Sequence, residues 1–215
     1  MLEGIDISHW ETVHDWPAVK KSGVRFVYLK ATQGEHSVDR CFHKYRLACQ
    51  TLGLAWGAYH FYDYRLHAGS QAGHFIATLG QTQAETQGML PPVVDLEPFT
   101  IWQDGERKQA ELPARLPLLN SLGILLEKLK STYGRAILYT NPAMLKRLAP
   151  LPGWLAEIPL WIAQYTAARE PRIAPFTSWL FWQYSDTGEI PGIHGAIDRN
   201  RFNGDESDLL SLVKH

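Results

Sequence analysis

The sequence predicts an α/β fold, an irregular TIM-like (β/α) barrel with about eight strands and about five helices, in which the later helices are missing. Three observations lead to this prediction. Short runs rich in β-branched and aromatic residues recur along the whole chain, helical patterns separate the earlier runs, and 215 residues fall short of the roughly 250 of a complete barrel. We therefore expect a single catalytic barrel domain over residues 1–215.

The strand-like runs follow one another in the order GIDIS, VRFVYLKAT, LAWGAYHFY, PPVVDLE, RAILYTN, PLWIAQY, WLFWQYS and HGAIDRN. Helical patterns are expected approximately at 15–22, 39–52, 69–84 and 113–132. Near-continuous apolar strands that alternate with helices are typical of a parallel sheet covered by helices. Helix signals fade after residue 150, so only loops are expected between the last three strands. No glycine-rich phosphate loop follows the first strand, which disfavours a dinucleotide-binding sheet.

Composition and charge exclude several classes of function. The formal net charge of −1 lacks the basic excess of a nucleic-acid-binding protein, and no apolar stretch approaches the roughly 20 residues of a membrane span. The start MLEGIDISHW lacks the features of a signal peptide, so we expect either phage-type release without a leader or a leader already removed. Cys41 and Cys49 would lie about 12 Å apart on one helix, so both are predicted to be free thiols. We expect a monomer.

Polar and aromatic residues cluster where the predicted strands end. Since TIM-barrel sites form at the carboxyl ends of the strands, these residues would share one mouth. Asp95 and Glu97 are two positions apart on a strand, so both would point inward. Asp6 and Asp198 become neighbours if the first and last strands meet. With 8 Trp, 9 Tyr and 8 Phe in the chain, carboxylates flanked by aromatic rings indicate glycoside hydrolysis.

These motifs resemble those of glycoside hydrolase family 25, the Chalaropsis-type lysozymes. The resemblance covers nearly the whole chain and rests on the order and spacing of GIDISHW, KATQG, GAYHFY, VVDLE, LYTN, LWIAQY, WQYS and GIHGAIDRNRFNG. It implies an irregular barrel and a β-1,4-N-acetylmuramidase that acts on bacterial peptidoglycan without a metal or organic cofactor. Its place of action would be the cell wall, outside the cytoplasm.

The resemblance also implies roles for individual residues. The catalytic acids would be Asp6, Asp95, Glu97 and Asp198, with Glu97 as proton donor and Asp95 assisting at the anomeric centre. The residues expected to line the sugar groove are Tyr62, Tyr139, Trp161, Tyr165, Trp182 and Gln183. Four positions depart from the family pattern and put fine specificity in question, namely Glu11, Thr12, Gln33 and Arg199.

Several structural interpretations compete with these roles. Asp95 and Glu97 would be solvent-exposed residues without a catalytic role if the strand end were solvated. Asp198 would be structural if it paired with Arg199 or Arg201. His60 is an alternative catalytic base, although a buried, hydrogen-bonded histidine is the simpler expectation. The stretch 99–112 is either a functional rim loop or an inert surface excursion. His67 and His74 have no evident third partner, so a zinc site is not predicted.

Three rival functions and one point of mechanism remain open at this stage. A chitinase-like enzyme would carry a further aspartate where this chain has Val93. A catalytically inactive wall-binding module would have lost Glu97, and a zinc amidase would need a histidine and cysteine ligand set. Backbone spacing does not decide between retention and inversion. The acetamide of the substrate favours retention by substrate assistance.

Overall fold

The structure is a computed structural model that describes residues 1–166 and 170–213. Its strands are β1 (Leu2–Ile7), β2 (Thr12–Val13), β3 (Phe26–Gln33), β4 (Ser37–Val38), β5 (Ala55–Phe61), β6 (Val93–Asp95), β7 (Thr100–Gln103), β8 (Glu106–Gln109), β9 (Ile137–Thr140), β10 (Leu160–Ala163), β11 (Phe181–Gly188), β12 (Ile193–His194) and β13 (Ile197–Phe202). Its helices are α1 (Trp16–Lys21), α2 (Phe42–Leu52), α3 (Ala68–Leu79), α4 (Gln83–Thr86), α5 (Arg115–Tyr133), α6 (Pro142–Leu148), α7 (Gly153–Ala156) and α8 (Glu206–Leu212).

Eight strands close into the predicted barrel in the order β1-β13-β11-β10-β9-β6-β5-β3, with β3 pairing back onto β1. The first and last strands therefore meet, as expected. The last strand departs from the expected parallel arrangement, because β13 runs antiparallel to both β1 and β11. Only residues 189–196 connect β11 to β13, and a parallel connection needs a crossover of about a dozen residues or more.

Alternate residues along the strands face two separate cores. Side chains that point into the barrel stack as an aromatic and aliphatic plug below the mouth: Phe26, Tyr28, Val93, Ile137, Trp161, Phe181 and Phe202. Their strand neighbours point outward and pack against the helices, for example Val27, Val94, Leu138 and Ile162. Strand geometry thus assigns each position either to the interior or to the helix layer.

The helix layer contains more elements than the sequence predicts. Helices α1, α2 and α5 fall within three residues of the expected patterns, but the pattern at 69–84 is split at Gly80, whose φ of 80° ends α3. A capping box of Thr82 and Glu85 then starts α4. Helices α6, α7 and α8 were not predicted, because each has seven residues or fewer. Within the described residues no helix lies between β10, β11 and β13, as expected.

Other expectations about the chain concern single features. The stretch 99–112 is an antiparallel hairpin, β7–β8, directly after the acid pair, with Trp102 exposed. Cys41 and Cys49 are both free, and Cys49 is buried. No helix among the described residues has the length and apolar character needed to cross a bilayer.

Candidate active site

The four predicted acids line one pocket at the mouth of the barrel, where Asp6, Asp95 and Glu97 lie at or just after the carboxyl ends of their strands and Asp198 lies near the amino end of the antiparallel β13. Asp95 is the last residue of β6 and Glu97 lies two positions further, so both side chains turn inward. Asp6 on β1 is the direct partner of Asp198 on β13. The cluster has two causes. Alternate residues of a strand point to the same face, which brings Asp95 and Glu97 together, and closure of the barrel brings Asp6 beside Asp198.

Asp6 and Asp198 form a hydrogen-bonded pair held by two amides. Gln183 Nε2 donates to Asp6 Oδ1 at 2.9 Å and to Asp198 Oδ2 at 3.1 Å, and Asn200 Nδ2 donates to Asp6 Oδ1 at 2.6 Å. Burial raises the pKa of Asp6 to about 6, against the lowering effect of these bonds. Burial, then the charge of Asp6, raises the pKa of Asp198 to about 9. Near neutral pH the two acids therefore retain one proton between them.

Among the four acids of the described pocket, Asp95 has the only fully buried oxygen without a hydrogen-bond partner. It is only 5% exposed, and its Oδ1 has no hydrogen-bond partner among the described residues. Burial and the neighbouring charge of Glu97 raise its pKa well above the ordinary value, while Lys30 opposes this. A buried carboxylate oxygen without a donor costs free energy, so it is an acceptor left for a ligand.

Glu97 is held beside Asp95 by backbone contacts. The intervening Leu96 donates its N–H to the Tyr139 carbonyl at 2.9 Å, and its own carbonyl accepts from Thr140 Oγ1 at 2.7 Å. Burial raises the pKa of Glu97, followed by the charge of Asp6. A carboxyl with a raised pKa in a pocket is suited to donate a proton at mildly acidic pH.

Three of the predicted groove residues lie inside the pocket. Tyr139 donates its hydroxyl to Gln183 Oε1 at 2.9 Å, and Trp161 donates Nε1 to Asn200 Oδ1 at 2.9 Å. The structure thus brings Tyr139, Trp161 and Gln183 together with the acids. Tyr165 lies nearby but is 55% exposed, just after β10. Burial, followed by the charges of Asp198 and other acids, raises its pKa.

Two predicted groove residues, Tyr62 and Trp182, do not line the pocket. Tyr62 is fully buried on the helix side of the barrel wall, where its hydroxyl donates to Ser121 Oγ on α5 at 2.8 Å. Trp182 also faces outward, packs against Trp179 and donates Nε1 to the Gln164 carbonyl at 2.9 Å. Since Gln183 faces inward, the adjacent Trp182 must face the other way.

Other pocket residues were absent from the predicted site. They are Ser8, Trp10, Lys30, Tyr59 and Phe61. Trp10 is 77% exposed, which is unusual for the largest side chain. Its ring lies 4.5 Å from that of His9, which Asp39 holds through a 2.6 Å contact. The signal available in the sequence was a tryptophan three residues beyond the end of the acid-bearing strand β1.

The structural alternatives for single residues are also decided by geometry. His60 is fully buried on the outer face, where Nδ1 contacts Thr32 Oγ1 at 2.7 Å and Nε2 contacts Gln71 Oε1 at 3.0 Å, so it is the expected structural histidine. Arg199 and Arg201 pair with Glu3 instead of Asp198.

His67 and His74, considered as a pair in the sequence analysis, make separate contacts. His67 caps α3 by accepting from the Ser70 N–H, and His74 contacts the Ser37 carbonyl. Among residues 1–166 and 170–213, no group of three or more potential ligands is arranged to hold a metal ion.

A barrel mouth with two same-strand carboxylates, a second acid pair and aromatic walls defines a glycoside hydrolase. The family model described as "Glycosyl hydrolases family 25" matches residues 5–193. The chain belongs to this family, and it is a glycoside hydrolase of the lysozyme, or muramidase, class.

The chain is similar to several known proteins along nearly its full length. The chain is 34% identical to the uncharacterized protein YegX of Escherichia coli O157:H7, over 99% of this chain and 73% of YegX. It is 28% identical to lysozyme M1 of Streptomyces globisporus, over 100% of this chain and 72% of that protein. The crystal structure of a bacterial lysozyme from Streptomyces coelicolor matches with a TM-score of 0.86 at 29% identity, covering 99% of this chain and 96% of that one.

Proposed function

We propose that this enzyme hydrolyses the β-1,4 bond between N-acetylmuramic acid and N-acetylglucosamine in cell-wall peptidoglycan. Its place of action would be the bacterial wall, outside the cytoplasmic membrane. Glu97 is the general acid, and the acetamide of the bound muramic acid is the nucleophile, so the configuration at C1 is retained. The observation that carries this proposal is the buried, unpartnered Oδ1 of Asp95 beside Glu97.

The free oxygen of Asp95 fits the acetamide of the substrate. An amide N–H directed at Asp95 Oδ1 would satisfy the only fully buried oxygen without a partner among the four acids of the described pocket. The same contact would turn the acetamide oxygen toward C1. When that oxygen bonds to C1, positive charge develops on the new ring. This charge, together with Lys30, opposes the effect of burial on the pKa of Asp95 and favours its ionised form, which stabilises the cation.

Atoms and protons balance in two steps. In the first, the acetamide oxygen attacks C1, the bond from C1 to the leaving O4 breaks, and Glu97 transfers its proton to O4. In the second, ionised Glu97 takes a proton from water, whose oxygen attacks C1 and opens the oxazolinium ring. The raised pKa of Glu97 makes the protonated form available for the first step at mildly acidic pH.

The other pair of acids has a supporting role in this proposal. Burial keeps one proton between Asp6 and Asp198, which limits the negative charge around Glu97. The amides of Gln183 and Asn200 hold the two carboxyl groups in place. The exposed ring of Trp10 offers a flat surface for a sugar at the rim. Position 93, where a chitinase-like enzyme would have an acid, is an apolar side chain buried in the barrel core.

Analysis of the products tests the proposal. Purified walls treated with the enzyme should release fragments whose reducing ends are N-acetylmuramic acid, identified by mass spectrometry after borohydride reduction. Proton NMR, read before mutarotation, should show the β anomer first. Initial α anomer would mean that a water attacks directly, and reducing ends on N-acetylglucosamine would contradict the muramidase assignment.

A further inference from the structure

A second cavity adjoins the catalytic pocket and shares one residue with it, Lys30. We call it the side pocket. It lies beside the end of β3 and the short strand β4, and its lining consists of His9, Lys30, Gln33, Ser37, Val38, Asp39 and Arg40. The catalytic mechanism proposed above uses none of these residues.

The two pockets differ in charge. Lys30 is the only cationic residue among the described residues that line the catalytic pocket, which also contains four carboxylates. Its Nζ donates to the neutral Gln33 Oε1 at 2.9 Å and lies 4.8 Å from the centroid of the Phe61 ring. No carboxylate of the described chain lies within ion-pair distance of Lys30.

The carboxylate of the side pocket is already engaged. Asp39 Oδ2 accepts from the backbone N–H of His9 at 3.1 Å and contacts its ring Nδ1 at 2.6 Å. Asp39 Oδ1 accepts from the Cys41 N–H at 2.9 Å. Arg40 is exposed and, within the described residues, forms no ion pair. Lys30 and Arg40 thus present two positive charges that no neighbouring acid neutralises by contact.

This inference rests on the proposed function, because it concerns the muramic acid placed at Glu97. The distinguishing substituent of that sugar is carried on O3, on the same ring as the reacting C1. It ends in a carboxylate when the strand lacks a peptide, and it continues into a peptide stem with free carboxylates when the stem is present. An anion leaving the catalytic pocket is repelled by its ionised acids and attracted toward Lys30, on the side of the side pocket.

We propose that the side pocket binds the carboxylate-bearing O3 substituent of muramic acid, with Lys30 and Arg40 as its anion-binding residues. An unsubstituted N-acetylglucosamine in the same position has no anion to place there. The side pocket therefore contributes to discrimination between peptidoglycan and chitin-type strands, in addition to the chemistry at C1.

Calorimetric titration at low salt with three disaccharides tests this proposal, since none requires turnover. The ligands are the N-acetylglucosaminyl-N-acetylmuramyl peptide, the same disaccharide with a free lactyl carboxylate, and neutral N,N′-diacetylchitobiose. The wild-type enzyme should bind both acidic ligands at least about fivefold more tightly than chitobiose. The preference should shrink when salt is raised to about 0.5 M, because screening weakens charge contacts.

Two variants distinguish the source of the carboxylate. Lys30→Met should weaken binding of both acidic ligands by about fivefold. Arg40→Gln should weaken the peptide-bearing ligand alone if only the stem carboxylates reach Arg40, the free-acid ligand alone if only the lactyl carboxylate does, and both acidic ligands if each carboxylate reaches it in its own ligand. The matched control is Arg25→Gln, an exposed arginine at the start of β3, which should leave all three affinities unchanged.

Equal wild-type affinity for the three ligands would overturn the proposal, as would wild-type affinity for both acidic ligands in either variant. Release of fragments from walls by the same wild-type preparation reports separately on the proposed function. If the enzyme releases fragments that end in muramic acid but shows no preference for the acidic ligands, only the proposal about the side pocket is rejected. If it releases no such fragments, the proposed muramidase function is rejected as well.

Discussion

Two buried titratable groups on the adjacent strands β5 and β6 lie on opposite faces of the barrel wall and have opposite hydrogen-bond status. Both ring nitrogens of His60 have partners, Thr32 and Gln71, on the helix side. Asp95, on the inner side, has an oxygen with none. A buried polar group with all its partners belongs to the structure, whereas one that lacks a partner inside a pocket is available to a ligand.

Burial also moves the two groups in opposite directions for the same reason. It lowers the pKa of His60 to about 4 and raises that of Asp95 well above the ordinary value, since each charged form loses solvation. Both are thus pushed toward neutrality. Asp95 lines the pocket and His60 does not, so of the two only Asp95 is placed for proton transfer there.

The largest expected effect is that of Glu97→Gln. The substitution keeps the shape of the side chain but removes the proton that the leaving oxygen requires, so the rate of wall hydrolysis should fall by about 10²- to 10⁴-fold. Fragment release measured by chromatography checks the rate, and near-ultraviolet circular dichroism should be unchanged. Glu127→Gln, an exposed glutamate on α5, is the matched control. If the Glu97→Gln variant kept more than about a tenth of the wild-type rate, the general acid would be another residue.

Asp95→Asn should lower kcat by about 10²-fold, the cost of losing one preorganised charge at the developing cation. The amide retains an oxygen that can accept a hydrogen bond, so KM should change much less than kcat. Steady-state kinetics on a soluble peptidoglycan fragment separates the two parameters. A rise in KM at constant kcat would reduce Asp95 to a residue that only binds substrate.

His60→Leu should act on stability instead of catalysis. It leaves Thr32 and Gln71 without their buried partner, which costs about 1–3 kcal/mol. In a domain of this size each kcal/mol lowers Tm by about 2–4 °C. Thermal unfolding followed by circular dichroism measures this loss, and kcat of the folded variant should stay within about twofold of wild type. His43→Gln on the exposed side of α2 is the control. A large fall in kcat at unchanged Tm would instead indicate a catalytic role for His60.

The smallest effect concerns the dependence of stability on pH. The pKa values of Asp6 and Asp198 are raised by burial to about 6 and about 9, from about 4 in an unfolded chain. Their contribution to the free energy of unfolding is therefore complete below about pH 4 and is lost as the pH rises through 6 and then 9.

Asp198→Asn removes the group with the higher pKa, so the variant should lose less stability than wild type between pH 6 and 9. The Tm of the variant minus the Tm of wild type should be about 2–4 °C higher at pH 9 than at pH 5, equivalent to about 1 kcal/mol. Differential scanning calorimetry at both pH values measures it, with Asp104→Asn in the exposed hairpin as control. Parallel pH curves for variant and wild type would contradict a buried, protonated Asp198.

Prediction from sequence succeeded where short-range geometry was sufficient. The i, i+2 spacing placed Asp95 and Glu97 on one face, and the number of strands implied a closed barrel in which Asp6 meets Asp198. It did not anticipate that Tyr62 lies outside the pocket, because the run LAWGAYHFY is apolar on both faces and offers no sign of which set points inward. Register with the neighbouring strands decides that point: Tyr59 pairs with Lys30 and Val93, both inward-facing, so His60 and Tyr62 fall outside the pocket.

By itself, then, the sequence determined the barrel, the family and the positions of the four acids. These depend on the alternation of residues along strands and on short motifs, both of which can be read from neighbouring residues in the chain. Only the tertiary structure decided how those acids differ. The bond from Gln183 to Asp6 joins residues 177 positions apart, and the missing partner of Asp95 is a property of everything packed around it. Protonation and hydrogen-bond status depend on burial and on contacts between distant parts of the chain, which no local pattern encodes.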